Sequence, residues 1–190
     1  MIWKSCFFVE CLIFQNNFAS SIEFTSLHNN VIWILMNIHA PCTPAGKREF
    51  VRWFKNIQMP DTVDWLIVGD FNLYQSPEDR NRPGADVSEM LMFNDSITTL
   101  GLIELPLRGK RFTWTNKQHP LLLEHLDWFF SSACWTLTYP STEVTSMSME
   151  TGLEPPSLLN PYLYHLTKDS CLQIWELLVA TWYLCWASPN

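Results

Sequence analysis

The pattern of apolar and polar positions predicts two buried strands in the first half of the chain. Residues 31–38 read VIWILMNI and residues 65–68 read WLIV, so each is a short, continuous apolar run. A run of this length suits a strand that is covered on both faces. The second run leads directly into Gly69-Asp70-Phe71-Asn72. Polar residues that follow a buried strand often form a functional site, because the strand gives their loop a rigid base.

Two amphipathic helices are predicted by apolar residues at helical spacing. Thr43 is a favourable N-cap for the first helix, Pro44 suits its first position, and Phe50, Phe54 and Ile57 form one apolar stripe. The second helix is predicted to begin at the N-cap Asp86, with Glu89 at capping-box spacing and Gly101 as its stop. Its apolar stripe consists of Met90, Phe93, Ile97 and Leu100.

Further short strands are predicted over residues 102–105, 112–114 and 126–130. A weaker alternation over residues 136–149 suggests one more. The order is therefore strand, helix, strand, helix and then several strands. This order predicts a layered α/β (α+β) domain with sheets inside and helices outside.

Composition and charge limit the classes of function. The 190 residues suit one domain, and the formal net charge of −7 gives no overall attraction to a phosphate backbone. Contact with nucleic acid would have to be local or bridged by a metal ion. The six cysteines form no C-x-x-C pair, which favours reduced thiols in an intracellular protein.

Both ends of the chain are apolar but interrupted by polar groups. Lys4 and Glu10 interrupt residues 1–14, so we do not expect a signal peptide. Gln173 and Glu176 interrupt residues 171–187, and we expect neither a membrane span nor a membrane partner there. The character of the chain changes after Pro156, where three tryptophans lie close together. We expect this tail to add no strand to the sheets and to form at most an appended helix near residues 174–184.

Three motifs could carry chemistry. In Gly69-Asp70-Phe71-Asn72 the Asp could act as a general base or metal ligand and the Asn could orient a phosphate, although the tetrapeptide also suits a plain turn. In His125-Leu126-Asp127-Trp128 the Asp could orient a catalytic histidine, or it could be bonded to backbone at a strand edge. The basic run Arg108-Gly109-Lys110-Arg111 precedes Phe112-Thr113-Trp114. It could meet a nucleic-acid backbone and base, or form a solvated turn.

The order and spacing of these motifs resemble the DNase I-like endonuclease/exonuclease/phosphatase superfamily. The closest resemblance is to the endonuclease domain of plant-type non-LTR (LINE) retrotransposons, and it covers residues 18–156. We therefore expect residues 1–17 to be a non-matching leader, 18–156 a partial domain, and 157–190 a non-matching tail. The resemblance implies a four-layered DNase I-like β-sandwich flanked by helices, here truncated at the N-terminus. It also implies Mg²⁺-dependent phosphodiester cleavage of DNA.

The resemblance implies a role for each of several individual residues. Asp70 matches the water-activating Asp, Asn72 the phosphate-orienting Asn, and Asp127 the Asp that orients the catalytic His. His39 stands in the position of a catalytic Tyr and is therefore a vestigial site residue. Trp114 matches an aromatic residue at the DNA-facing rim, and with Arg111 it is predicted to contact substrate.

Several departures from the family pattern point to lost activity. The family's metal-binding Glu and Asn have no matching position, and Cys42 replaces an Asn that follows the Tyr position. Leu153 and Glu154 stand where the family has a catalytic Asp and His. We therefore expect no bound Mg²⁺ and weak or no binding of DNA.

Three hypotheses remain open from the sequence. The chain is an active Mg²⁺-dependent endonuclease, a catalytically dead remnant of a retrotransposon reading frame, or a nucleic-acid-binding or interaction module that kept the surface without the chemistry. The departures favour the second hypothesis.

Overall fold

A computed structural model describes residues 8–147, 163–168 and 172–173 of the chain, with backbone alone from residue 147 onward. The elements follow in chain order. They are β1 (Phe8–Gln15), β2 (Ala19–Ser26), β3 (Ile32–His39), α1 (Pro44–Lys55), β4 (Asp64–Asp70), α2 (Val87–Thr99), β5 (Ile103–Glu104), β6 (Leu107–Arg108), β7 (Trp114–Thr115), β8 (Leu123–Glu124), β9 (Asp127–Ser131), α3 (Ala133–Thr138), β10 (Glu143–Met147), β11 (Leu163–Lys168) and β12 (Leu172–Gln173).

Six strands form the central sheet in the order β1-β2-β3-β4-β9-β5. The predicted strands at residues 31–38 and 65–68 are present as β3 and β4, and they pair in parallel because α1 crosses between them. The strand predicted at residues 126–130 is present as β9, which pairs antiparallel with β4. β1 and β2 were not predicted, and β1 pairs along β2, so part of the expected leader belongs to the sheet.

The two predicted long helices cover one face of this sheet. Thr43 caps α1 by accepting from the backbone N–H of Gly46, and Asp86 caps α2 by accepting from Ser88 and Glu89. The carboxylate of Glu89 does not complete a capping box, since it pairs instead with Lys47 of α1 at 3.1 Å. This ion pair links the two helices.

An aromatic cluster fills the space between the helices and the sheet. The ring of Phe71, directly after β4, is fully buried and packs against Phe50, Phe54, Phe93 and Phe130 at centroid distances between 5.4 and 6.0 Å. Burying an aromatic side chain of this size is among the larger favourable contributions to folding. The third residue of the Gly69–Asn72 motif is therefore a core residue.

A second sheet lies against the other face of the central sheet. Its strands follow the order β12-β11-β10-β6, and Val144 of β10 packs with Leu35, Leu66 and Phe129 of the central sheet. The described residues thus form a helical layer and two packed sheets, which is the α/β sandwich that the sequence predicts. No helix among the described residues is long and apolar enough to cross a bilayer.

Two expectations from the sequence are wrong in detail. Residues 136–149 do not form one strand, because Ser132 caps the short helix α3 before β10 begins. Part of the tail does pair with a sheet, since β11 runs antiparallel to β10 over five residue pairs and also contacts β12. The helix expected near residues 174–184 lies outside the described residues, and the boundary at Pro156 stays a prediction.

We expect Gly69→Ala to destabilise the protein by at least about 3 kcal/mol. Gly69 has a φ of 131°, and an added Cβ would overlap the backbone carbonyl oxygen of Ile38 in the neighbouring strand. Gly101→Ala is the matched control, because Gly101 has a φ of 61° and nothing within 4 Å of the added Cβ. It should cost only about 1 kcal/mol. Urea unfolding of both variants checks this, and equal losses would contradict it.

Candidate functional site

Three neighbouring strands of the central sheet each carry a polar residue at the same end of the sheet. The pairing register sets His39 of β3 beside Asp70 of β4, and Asp70 beside Asp127 of β9. Side chains alternate between the faces of a strand, so these three share the face of Leu35, Val68 and Phe129, which is turned to the second sheet. The clustering predicted for Asp70 and Asp127 is therefore present in the structure.

Asn72 joins this cluster through the turn that follows β4. It adopts a positive φ of 51°, a conformation that Asn tolerates better than most residues. Its backbone N–H donates to Asp70 Oδ1 at 3.1 Å, and its side-chain Nδ2 donates to the carbonyl oxygen of Ala40 at 2.7 Å. The second bond fixes the turn after β4 against the turn after β3, so Asn72 orders two loops at the site.

The environment of Asp70 raises the pKa of its carboxyl group to about 7. Burial is the main cause, and the neighbouring carboxylate of Asp127 adds repulsion. Hydrogen bonds from Asn72 and the positive charge of Lys47 act in the opposite direction. Asp70 therefore holds a proton part of the time at neutral pH, which is the range that suits a general base or acid.

Asp127 is buried at the start of β9. The hydroxyl oxygen of Thr113 accepts hydrogen bonds from the backbone N–H groups of Leu126 and Asp127, at 2.9 and 3.1 Å, and so fixes the backbone at that point. Asp127 also raises the pKa of Lys110, although burial lowers that pKa by more. Lys110 thus lies in the electrostatic field of Asp127.

Two histidines lie near the site in different environments. Burial lowers the pKa of His39, while a hydrogen bond with the backbone of Asn17 raises it. The Nδ1 atom of His39 is buried and has no hydrogen-bond partner among the described residues. The ring of His125 stacks on Trp128 with 4.2 Å between centroids, and burial likewise lowers its pKa.

The two residues predicted to contact substrate lie on strand β7 and just before it in the chain. Trp114 is 37% exposed on β7, where it pairs with Glu124 of β8. The guanidinium group of Arg111 donates to the carbonyl oxygen of Glu78 at 3.1 Å and lies over the ring of Phe112. Their role as substrate contacts stays a prediction.

Sequence analysis missed the two lysines whose charges reach the carboxylates. Lys110 was treated only as part of a basic run, and its coupling to Asp127 depends on how the chain returns to β9. Lys47 lies in the first turn of α1, pairs with Glu89 and sits over the ring of Tyr74 at 5.9 Å. A signal for Lys47 was present, because a helix that starts just after β3 places its first turn at the same end of the sheet.

A buried polar network anchors the loop between β4 and α2. The hydroxyl of Tyr74 donates to Glu124 Oε1 at 2.6 Å, and Arg80 Nε lies 2.9 Å from the same oxygen. Burial, and after it the hydrogen bond to Glu124, raise the pKa of Tyr74 well above its usual range. This network attaches the loop after the Gly69–Asn72 motif to the β7–β8 hairpin.

The described side chains offer two adjacent carboxylates, Asp70 and Asp127, to the Mg²⁺ ion that the resemblance implies. The described residues contain no group of three or more His, Cys, Asp or Glu side chains placed to hold a metal ion. Asp70 and Asp127 alone provide a pair of carboxylates, and the raised pKa of Asp70 makes it a weaker ligand at neutral pH. Leu153 and Glu154 lie outside the described residues.

Comparison with known proteins identifies the fold. No protein-family model matches the chain, and no curated protein matches it in sequence. The endonuclease domain of TRAS1, a telomere-specific non-LTR retrotransposon, is 13% identical over 72% of this chain and 61% of that domain, with a TM-score of 0.55. Truncated TDP2 from Caenorhabditis elegans is 12% identical over 75% of this chain and 59% of that one, with a TM-score of 0.45. An endonuclease/exonuclease/phosphatase family protein from Bacteroides thetaiotaomicron is 12% identical, over 84% of this chain and 62% of that one, with a TM-score of 0.43.

The similarity to the TRAS1 domain shows that the chain has a DNase I-like fold. Within that fold it is similar to a retrotransposon endonuclease domain, and it spans about three fifths of that domain's length. The resemblance stated from the sequence motifs is thereby confirmed at the level of the fold.

We expect the stability of the protein to fall as the pH rises from about 4 to about 7. The carboxyl group of Asp70 has a raised pKa, so the folded state binds more protons than the unfolded state in this window. Asp70→Asn should remove this dependence and stabilise the protein at pH 8, by up to about 4 kcal/mol. Urea unfolding between pH 4.5 and 8.5 measures the effect.

The exposed Asp61→Asn variant is the matched control for removing one carboxyl group. Its stability should follow the parent curve across the same pH range. Parallel curves for Asp70→Asn and the parent would show that the Asp70 carboxyl group does not determine this pH dependence.

Proposed function

We propose that this chain is a phosphodiesterase-type domain related to the DNA endonucleases of non-LTR retrotransposons, and that it no longer cleaves DNA. The observation that carries the proposal is the row of His39, Asp70 and Asp127 across three adjacent strands, with Asn72 bonded to Asp70. This row lies in the fold shared with the TRAS1 endonuclease domain. The retrotransposon origin and the action on DNA are parts of the proposal.

In an active relative of this design, Asp70 is the group suited to accept a proton from an attacking water. Its pKa of about 7 matches that task at neutral pH. Asn72 holds Asp70 through its backbone N–H, and its side chain ties down the loop at Ala40. His39 could donate a hydrogen bond to a phosphate oxygen in place of a tyrosine hydroxyl.

Among the described residues, Lys47 and Lys110 are the cations whose charges reach the carboxylates. The reaction places added negative charge on phosphate oxygens, which two lysines close to two carboxylates do not balance. By resemblance, Leu153 and Glu154 also replace an Asp and a His, and a carboxylate at the latter position would add further repulsion. Removing one stabilising donor typically costs a hundred- to a thousand-fold in rate, roughly. We therefore propose that Asp70 keeps the position of a general base, while groups that cleavage also requires have been replaced by others.

We expect no nicking of supercoiled plasmid by this protein in Mg²⁺ or Mn²⁺ above the rate of its Asp70→Ala variant. The physical reason is that the described cations near the site, Lys47 and Lys110, are too few to balance the charge of a scissile phosphate. Gel separation of supercoiled and nicked plasmid measures the rate. Nicking by the parent that Asp70→Ala abolishes would overturn the inactivity proposal and support an active enzyme.

Binding without cleavage is the second candidate function. It is favoured by the exposed Trp114 and by Arg111 three residues before it in the chain, because an aromatic ring and a cation can hold a base and a phosphate. The net charge of −7 opposes it.

We expect no measurable binding of a single-stranded oligonucleotide at micromolar protein, at either low or physiological salt. Fluorescence anisotropy measures it, with Trp114→Ala as the control for specific stacking. Binding that weakens steeply with salt and is lost in Trp114→Ala would instead establish the second candidate.

A further inference from the structure

A cleft lies at the end of the central sheet opposite the candidate functional site. This distal cleft is lined by residues 57–61, 63, 99–101 and 132–134, together with Trp65 of β4. Trp65 lies near the start of β4 and Asp70 ends that strand, so the two are roughly 16 Å apart. The cleft has a volume of about 410 Å³, which is within the range of sites for small molecules.

The floor of the distal cleft is apolar. Four half-buried side chains line it and also pack against the aromatic core between the helices and the sheet. These side chains are Ile57, Met59, Val63 and Leu100. A ligand that covers the apolar surface which the core leaves open would gain hydrophobic burial.

Hydrogen bonds hold the walls of the distal cleft in place. The indole Nε1 of Trp65 donates to the carbonyl oxygen of Pro60 at 3.3 Å, and Cys134 Sγ donates to the carbonyl oxygen of Asp61 at 3.4 Å. The backbone N–H of Ser132 donates to the carbonyl oxygen of Trp65 at 3.0 Å. These bonds join the segment after α1 to β4 and to α3. Binding therefore requires little ordering of the walls.

The electrostatics of the distal cleft favour a cation. Asp61 is exposed and is the one charged side chain among the described residues that line the cleft. The C-terminal ends of α1 and α2 also lie there, since Ile57 follows α1 and Thr99 ends α2. A helix C-terminus carries partial negative charge. The basic residues in the last turn of α1, Arg52 and Lys55, are not among the residues that line the cleft.

We propose that the distal cleft binds a small organic cation, in which an ammonium group is attached to an apolar body such as an arylalkyl chain. The apolar body covers the floor, while the ammonium group pairs with the carboxylate of Asp61 near the C-terminal ends of α1 and α2. An anion would be repelled by the same groups. Because the cleft and Asp70 lie at opposite ends of β4, this binding does not depend on the proposed phosphodiesterase-type site.

Protection of Cys134 from alkylation measures occupancy of the distal cleft in the full chain. Cys134 is an exposed free thiol that lines the cleft, and Cys42 is an exposed free thiol outside it. With 2-phenylethylammonium as the probe, alkylation of Cys134 by iodoacetamide should slow with a midpoint on the order of 1 mM, while that of Cys42 stays constant. Peptide mass spectrometry follows both thiols in one sample. A Cys134 rate that does not change, or that falls equally with that of Cys42, overturns the proposal.

Two comparisons test whether the charge of the ligand is recognised. The neutral 2-phenylethanol has the same apolar body and should protect Cys134 about tenfold more weakly. Asp61→Asn should weaken protection by 2-phenylethylammonium about fivefold and leave protection by the alcohol unchanged. Glu49→Gln is the matched control, because Glu49 is exposed on α1 outside the cleft and its loss changes the net charge equally. Equal protection by the two probes, or equal effects of Asp61→Asn and Glu49→Gln, overturns the proposal.

Discussion

The parallel pairing of β3 with β4 is the constraint on which the site depends. At Gly69 the absence of a side chain lets β4 pair close to the carbonyl oxygen of Ile38. One residue further on, the same register sets His39 beside Asp70. A wider separation at Gly69 would also disturb β9, whose pairing with β4 sets Asp127 next to Asp70. The geometry of the site is thus a direct result of backbone packing in the centre of the sheet.

The electrostatics of the site follow from this close packing. Two carboxyl groups are held side by side in a partly buried position, and only Asn72 and Lys47 act to keep Asp70 ionised. Lys47 also forms an ion pair with Glu89, which offsets part of its effect on Asp70. The two carboxyl groups repel each other, and a cation bound between them would reduce that repulsion. The described side chains include no group of three or more candidate metal ligands.

Local patterns in the sequence predicted the elements that depend on local interactions. The caps Thr43 and Asp86 and the apolar runs of β3 and β4 specified two helices and two strands, because their signals lie within a few residues. β2 was missed because its polar residues Ser20 and Ser21 are buried only through neighbouring strands. The coupling of Lys110 to Asp127 was missed for the same reason, since it depends on the tertiary return of the chain.

The burial of Phe71 has a consequence for how such chains are interpreted. Of the four residues in the Gly69–Asn72 motif, Gly69 is required by strand contact and Phe71 by the aromatic core. Selection for folding alone would therefore retain half of this signature after selection for hydrolysis had ceased. A motif search that weights these four residues equally therefore detects a retained core as readily as a retained enzymatic activity. The diagnostic positions for activity are those that contribute nothing to packing.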